Sequence, residues 1–470
     1  MTIANKRFFN PAPLATVVLS ALVISGCAMR SDFEAPTVDV PHNWAYSNNQ
    51  HSVSIDKWWT RFGDPQLDQI IADVLAKNND LAMATLTLRK ARLQADLGRD
   101  DYYPDTSLSA SGSKGKYLDS GNTSTSYSAN LGVSYELDLW GRVSAYADQA
   151  NWTAMATEQD RESTAQSLVA TTATLYWQIG YLNDRITLGA KNIQAARDTL
   201  QMTQNQYDNG AVSKVNVLQA KQTLASLQTQ QSQYQQQLVE AQNAFAILFD
   251  QAPQTAQRMA NSLPTNPLPQ VEVGIPSDLL ARRPDVKAKL FELKAALANK
   301  DETDASYMPS FTLTGALGGS STALRNLLSD PIGTLGADLA LPFIQWDEMG
   351  INKDIAQVEY QSTIIDYRQT LYTAFQDVDN ALSSKQQLAY QAEKLLEQYQ
   401  SAEEVARIYA SQYQNGAIQF SDLLDAQTDE RDAKASLLEN RYNQYVALAT
   451  LYQALGGEDV MTASSEAIQQ

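Results

Sequence analysis

Asp422 and Asp425 stand three residues apart just after Gly416, so on a helix they share one face. Taken alone, the pair has a local reading: acids near a helix N-terminus are favoured by the helix dipole, with Ser421 as a polar neighbour. Other reactive groups are scarce. The 470 residues include two His, His42 and His51, and one Cys, Cys27. That count nearly excludes a His/Cys metal site and a Cys–His nucleophile pair, so no metal and no diffusible cofactor is expected. A hydrolase would need a nucleophile, base or ligand set converging on one point, and no such constellation is visible. The 35 Lys+Arg against 53 Asp+Glu leave a formal charge of −18 at pH 7. Such a chain is repelled by phosphate, which argues against a nucleic-acid partner.

Cys27 has a definite context. Lys6 and Arg7 form a short positive region, and Pro11 to Ile24 is apolar but too short to span a bilayer. The run ends in Ile24-Ser25-Gly26-Cys27, which resembles a bacterial lipobox. Residues 1–26 then read as a signal peptide and Cys27 as the lipidated N-terminus, the covalent lipid being the only attached group expected. Ala28 follows rather than Asp, which by the same resemblance favours the outer membrane. The other reading is an ordinary signal peptide with a buried Cys nearby. No later apolar run is long enough for a membrane helix. A chain that crosses a membrane without one must do so as strands in a closed barrel.

The elements that would position these residues come in two copies. Tyr207-Asp208-Asn209-Gly210-Ala211-Val212, with Leu218-Gln219-Ala220 beyond it, aligns without gaps on Tyr413-Gln414-Asn415-Gly416-Ala417-Ile418 and Leu424-Asp425-Ala426. Tyr102-Tyr103-Pro104 before an alternating stretch is repeated as Tyr307-Met308-Pro309. Each half follows one plan: helix, Tyr-x-Pro, strands, long helix, glycine turn, helix. Two copies are too few for a solenoid, so this is a doubled unit.

Four stretches alternate with period two, as strands with one apolar face do. Tyr127 to Leu139 carries Tyr, Ala, Leu and Val at odd positions and Ser, Asn, Gly, Glu and Asp at even ones. Leu108 to Gly112, Phe311 to Leu317 and Leu335 to Phe343 behave likewise, and the Gly/Ser/Asn/Asp-rich segments 114–124 and 318–331 read as hairpin loops. Elsewhere the pattern is helical. Leu168, Leu175, Ile179, Leu182, Ile186, Ile193 and Leu200 recur at steps of seven, four and three. Met349 to Gln414 has no Pro and no Gly beyond Gly350, enough for a helix of about 100 Å at 1.5 Å per residue. Four amphipathic strands cannot close a membrane barrel, which needs about eight or more. Several chains would have to pool their strands, since an open edge in lipid leaves backbone groups unpaired at several kcal/mol each. A coiled-coil stalk bearing a small sandwich is the competing architecture.

Five motifs occur in order along the chain: Trp58-Trp59-x-x-Phe62-Gly63-Asp64-Pro65-x-Leu67 with Asn79-Asp80-Leu81 downstream; Glu136-Leu137-Asp138-Leu139-Trp140-Gly141-Arg142; Leu279-Leu280-Ala281-Arg282-Arg283-Pro284-Asp285-Val286; and the two Tyr-x-x-Gly turns. With the lipobox, they resemble the TolC-type outer membrane factors, in the lipoprotein branch that includes OprM and CusC. The resemblance implies a mainly α fold with a membrane β-barrel. A homotrimer would give four strands per chain to a shared twelve-strand barrel, and its long helices would form a periplasmic coiled-coil tunnel. It divides the chain into an anchor and equatorial segment 27–65, a first repeat 66–250 with its hairpin at 105–140, a Pro-rich linker 251–276, a second repeat 277–455 with its hairpin at 310–344, and an equatorial tail 456–470. The implied function is a non-enzymatic outer-membrane channel in a tripartite efflux system. Its partners would be outer-membrane lipid, a periplasmic adaptor and an inner-membrane pump, of the resistance-nodulation-division class by likeness to OprM. Alternatives are a non-pore lipoprotein stalk and an exit duct for type I secretion.

The same resemblance gives residues a second reading. Asp422 and Asp425 match positions that ring the closed periplasmic tip, where three copies would make a negative constriction favouring cations. In the first repeat their counterparts are Asn216 and Gln219, which are neutral. Thr428 stands where the OprM-like branch often has an Arg, a departure that leaves an Asp–Arg lock between neighbouring chains an open question. Tyr207 and Tyr413 are either aromatic staples packing their turns or latches between coiled coils at the gate. Gly210 and Gly416 read as left-handed helix ends. Ala211, Val212, Ala417 and Ile418 beside them would be adaptor contacts. Arg282-Arg283-Pro284-Asp285 reads as a helix start with a salt bridge rather than a site.

Overall fold

The computed structural model describes residues 30–46, 57–253, 258–271, 273–274, 276 and 282–457. Cys27, His51 and Leu279 to Ala281 lie outside these residues. Among the described residues, seven α-helices and four strands carry the fold: α1 (Pro65–Lys77), α2 (Asn79–Asp100), β1 (Asp105–Lys116), β2 (Thr123–Leu137), α3 (Arg142–Asp208), α4 (Lys214–Ile247), α5 (Pro284–Ser306), β3 (Ser310–Ser321), β4 (Ile332–Ala340), α6 (Trp346–Gln414) and α7 (Phe420–Ala454). Two compact units emerge. One gathers Leu88–Glu158 and Ala288–Arg368 with the segment ending at Thr37; the other gathers Val38–Thr87, Gln159–Lys287 and the chain from Gln369 onward.

The first unit holds one antiparallel sheet in the order β1-β2-β3-β4. Both strands of each hairpin run further than the alternation indicates, so the connections shorten to residues 117–122 and 322–331. β4, by contrast, stops at Ala340 instead of reaching Phe343, because Pro342 has no amide to give the ladder and opens a short 3-10 turn. Register fixes the faces. Leu108 pairs with Leu131, which pairs with Leu317, and Leu137 pairs with Phe311, which pairs with Leu339. The neighbouring rows are polar or small: Ser109, Asn130 and Gly318; Glu136, Thr312 and Asp338. Among the described residues the leucines of the apolar face stand open, with Leu108 80% and Leu335 95% exposed.

Sequence motifs explain the joints. Asp138, just past β2, accepts the Val143 and Ser144 amides at 3.0 Å each and so caps α3. Arg142 forks onto Glu136 at 2.9 and 2.8 Å, and the Trp140 indole donates to the Pro309 carbonyl at 2.8 Å. In the second unit, Asp64 caps α1 through the Gln66 and Leu67 amides, with Pro65 as first residue, and also accepts the Tyr176 hydroxyl at 2.9 Å. Trp58 and Phe62 are core: Trp58 stacks on Tyr452 at 5.1 Å and Phe62 meets Trp177 at 4.8 Å. Arg283 acts structurally, as its motif indicates. It bridges Asp285 at 2.6 Å and Asp377 at 3.1 Å, and Gly456, at φ 65°, packs against its backbone so closely that a Cβ would lie 2.8 Å from it.

Candidate functional site

The long helices α3 and α6 end in the same backbone turn. Gly210 has φ 75°, its amide donates to the Tyr207 carbonyl at 2.9 Å, and the Ala211 amide donates to the Gln206 carbonyl at 2.8 Å. Gly416 has φ 72°, with the matching bonds to Tyr413 at 3.0 Å and from Ala417 to Gln412 at 2.9 Å. Two crossed bonds around a left-handed residue satisfy the last helical carbonyls. A Cβ on either glycine would meet nothing within 4 Å, so the backbone angle alone calls for glycine. Ala211 and Ala417 are exposed, and Val212 and Ile418 are half-buried.

The next helices start differently. At α4 the Ser213 hydroxyl makes no cap and instead bonds the Asn216 side chain at 2.8 Å. At α7, Gln419 and Asp422 form a capping box, the Asp422 carboxylate accepting the Gln419 amide at 3.2 Å. The two acids therefore part company. Asp422 is engaged in starting its helix, as the local reading holds. Asp425 is exposed on the same helix and makes no hydrogen bond or ion pair among the described residues. Thr428 donates to the Leu424 carbonyl and accepts Arg431 Nη2, both at 2.8 Å, so a guanidinium stands one turn beyond the position where the OprM-like branch often carries its Arg.

The tyrosines part company too. Tyr413 is 6% exposed and packs with Phe420, Leu423 and Ala220, its ring 5.4 Å from Phe420. Its hydroxyl donates to Gln206 Oε1 of the other tip at 2.7 Å. Burial pushes its phenol pKa up. It thus packs its own turn and bridges to the other. Tyr207 is 39% exposed, against 6% for Tyr413. The reason lies seven residues on, where the second repeat has Phe420 and the first has Lys214. A ring gives Tyr413 something to pack on, and an ammonium does not. A recess of about 780 Å³ separates the turns, with Gln206, Asn216, Gln219, Tyr413 and Ser421 in its lining. Sequence reasoning missed Gln206 and Arg431; their only signal was adjacency to Tyr207 and to Thr428.

An amphipathic sheet with an uncovered apolar face, leading into long paired helices that end in matched turns, defines an outer-membrane channel protomer. The profile of the outer membrane efflux protein family matches residues 70–248 and 275–457, and the chain belongs to that family. The antibiotic efflux pump outer membrane protein ArpC of Pseudomonas putida is 31% identical over 463 residues, 94% of this chain and 95% of that one. Toxin and drug export protein A of Aggregatibacter actinomycetemcomitans is 28% identical, covering 96% of this chain and 98% of its own. Among solved structures, the open state of the Neisseria gonorrhoeae MtrE outer membrane channel superposes with a TM-score of 0.80 at 29% identity, over 93% of this chain and all of that one.

Proposed function

We propose that the protein is the lipid-anchored outer-membrane channel of a tripartite efflux system, working as a homotrimer with a periplasmic adaptor and a resistance-nodulation-division pump. The observation that carries this reading is the sheet: four strands, an apolar face whose leucines stand exposed, and two edges, β1 and β4, without strand partners among the described residues. Lipid satisfies the face, and strands of further copies satisfy the edges. Ile351, Ile355, Val358 and Ile365 support assembly, since they form an exposed row at coiled-coil spacing on α6.

The residues after Cys27 support the anchor. Ser31 gives its amide and hydroxyl to the nearly buried Asp301 carboxylate, both at 2.8 Å, Arg30 pairs with Asp148, and Phe33 lies 5.2 Å from the Lys294 ammonium. The chain leaving the acylated Cys27 is thereby held on α3 and α5 in the unit that carries the strands. The names of ArpC and of Toxin and drug export protein A favour organic cargo. The latter also keeps a secretion-duct reading open for larger cargo.

The gate sits at the tip, with Asp425 supplying the ring of charge and Asp422 holding the helix start that presents it. The adaptor docks on Ala211, Val212, Ala417 and Ile418. Planar-bilayer conductance of the purified trimer tests this. Asp425→Ala is expected to raise a small wild-type current several-fold, and Asp422→Ala to add to it by loosening the helix start. Unchanged current from intact trimers removes the gate from Asp425. No current from any variant, with protein that stays soluble without detergent, returns the chain to the stalk reading.

A further inference from the structure

A second recess lies among α3, α4 and α7, several helical turns from the tip turns. Thr428 and Asp432 on its α7 wall follow Asp425 at helical spacing, so it continues the face that carries the acid. Its volume is about 640 Å³, within the range of small-molecule sites. Two arginines line it, and neither makes a salt bridge among the described residues, although Asp432 and Glu430 lie near enough to Arg431 to favour its charge. Arg185 is only 8% exposed. Its guanidinium lies 4.6 Å from the Tyr234 ring centre and donates to the Tyr234 hydroxyl, while its Nη1, buried, donates to nothing. Arg431 spends one nitrogen on Thr428 at 2.8 Å, and burial works against its charge. A buried cation without a paired counter-charge, as at Arg185, is costly. Asn192 and Gln230 add amides to the wall, and Asp432, exposed, is the one carboxylate there.

We infer that this recess binds a small polar organic anion bearing carboxylates. Guanidinium forks match carboxylate geometry, and the flanking amides and hydroxyls suit a polar rather than an apolar body. The inference rests on the channel reading only for its meaning, which is a cargo site in the helical tunnel above the gate.

The test is calorimetric titration of the detergent-solubilised trimer with citrate at low salt, beside its neutral trimethyl ester. Citrate is expected to bind at one site per chain and the ester not to. Arg185→Gln and Arg431→Gln should each weaken citrate at least tenfold, and Arg185→Lys should restore part of the loss. Arg407→Gln, which removes an exposed arginine paired with Glu404 elsewhere, should change nothing. If Arg185→Gln fails to assemble, the less buried Arg431→Gln carries the test. Equal binding by the arginine variants, equal binding of the ester, or no citrate binding by wild type overturns the inference. Conductance recorded on the same preparations separates the two readings: citrate binding without a pore would sink the channel and leave the site, and a pore without binding the reverse.

Discussion

The two tip turns share a backbone and differ in what their side chains do with it. Each closes on a glycine with the same pair of crossed bonds. In the second repeat the turn is sealed by Tyr413 against Phe420, capped by Gln419 and Asp422, and tied across to Gln206. In the first, Tyr207 stands open, Lys214 takes the place of Phe420, and Ser213 leaves the helix start without a side-chain cap. A duplicated unit has thus kept its geometry twice and placed its packing, its cap and its carboxylate pair in one copy. Tyr413 couples the copies, through its hydroxyl on Gln206 and through its packing with Ala220 of the first repeat.

Phe420→Ala should break the comparison most severely. Removing a buried ring costs about 3–5 kcal/mol. Amide exchange around Leu423 should rise more than a hundredfold, while Lys214→Ala leaves the first tip within about 0.5 kcal/mol. Gly210→Ala and Gly416→Ala should each cost about 1–2 kcal/mol, and by similar amounts, since only the left-handed angle is at stake. Unequal costs in thermal unfolding would mean that side-chain packing reaches into the backbone. Tyr413→Phe keeps the ring and loses the bond to Gln206, about 1 kcal/mol. Exchange should quicken at both tips, whereas Tyr207→Phe should do nothing.

That bond also gives the comparison a pH dependence. The Tyr413 pKa is raised by burial, so its contribution is complete below the ordinary tyrosine value of about 10 and is lost as pH rises through the higher folded value. Alkaline titration should therefore loosen the second tip, and Tyr413→Phe should abolish that sensitivity. Lys214→Phe offers Tyr207 a ring to pack on and should sharpen the comparison by making the first tip resemble the second, with a gain of about 0.5 kcal/mol or a little more seen as slower exchange near Tyr207.

Much of this was legible in the chain. Strict alternation marked all four strands, because one face had to be apolar along its whole length; the glycine turns showed by their repetition. Pro342 marked where β4 had to end, yet the alternation through Leu341 and Phe343 overrode it. The pairing of β2 with β3, which makes one sheet of two hairpins, has no local signal, since it depends on where long helices return the chain. The inequality of Tyr207 and Tyr413 lay in Lys214 against Phe420, a difference easily passed over when matching Tyr to Tyr and Gly to Gly. Arg185 was invisible because its significance is the absence of a carboxylate around it, and that is a property of three helices together.

The unbroken order β1-β2-β3-β4 bears on how such a barrel is put together. In a trimeric barrel built of hairpins, every seam joins the second strand of one hairpin to the first strand of the next. Half of those seams are β2 against β3 and lie within a chain; half are β4 against β1 and lie between chains. Tethering makes the first kind an intramolecular event at high effective concentration. Six separate hairpins would have to meet by diffusion, whereas three doubled chains meet with half of the seams already sewn. Assembly then scales with the third power of protomer concentration, and each chain brings its β2–β3 seam already in register, with Leu131 opposite Leu317.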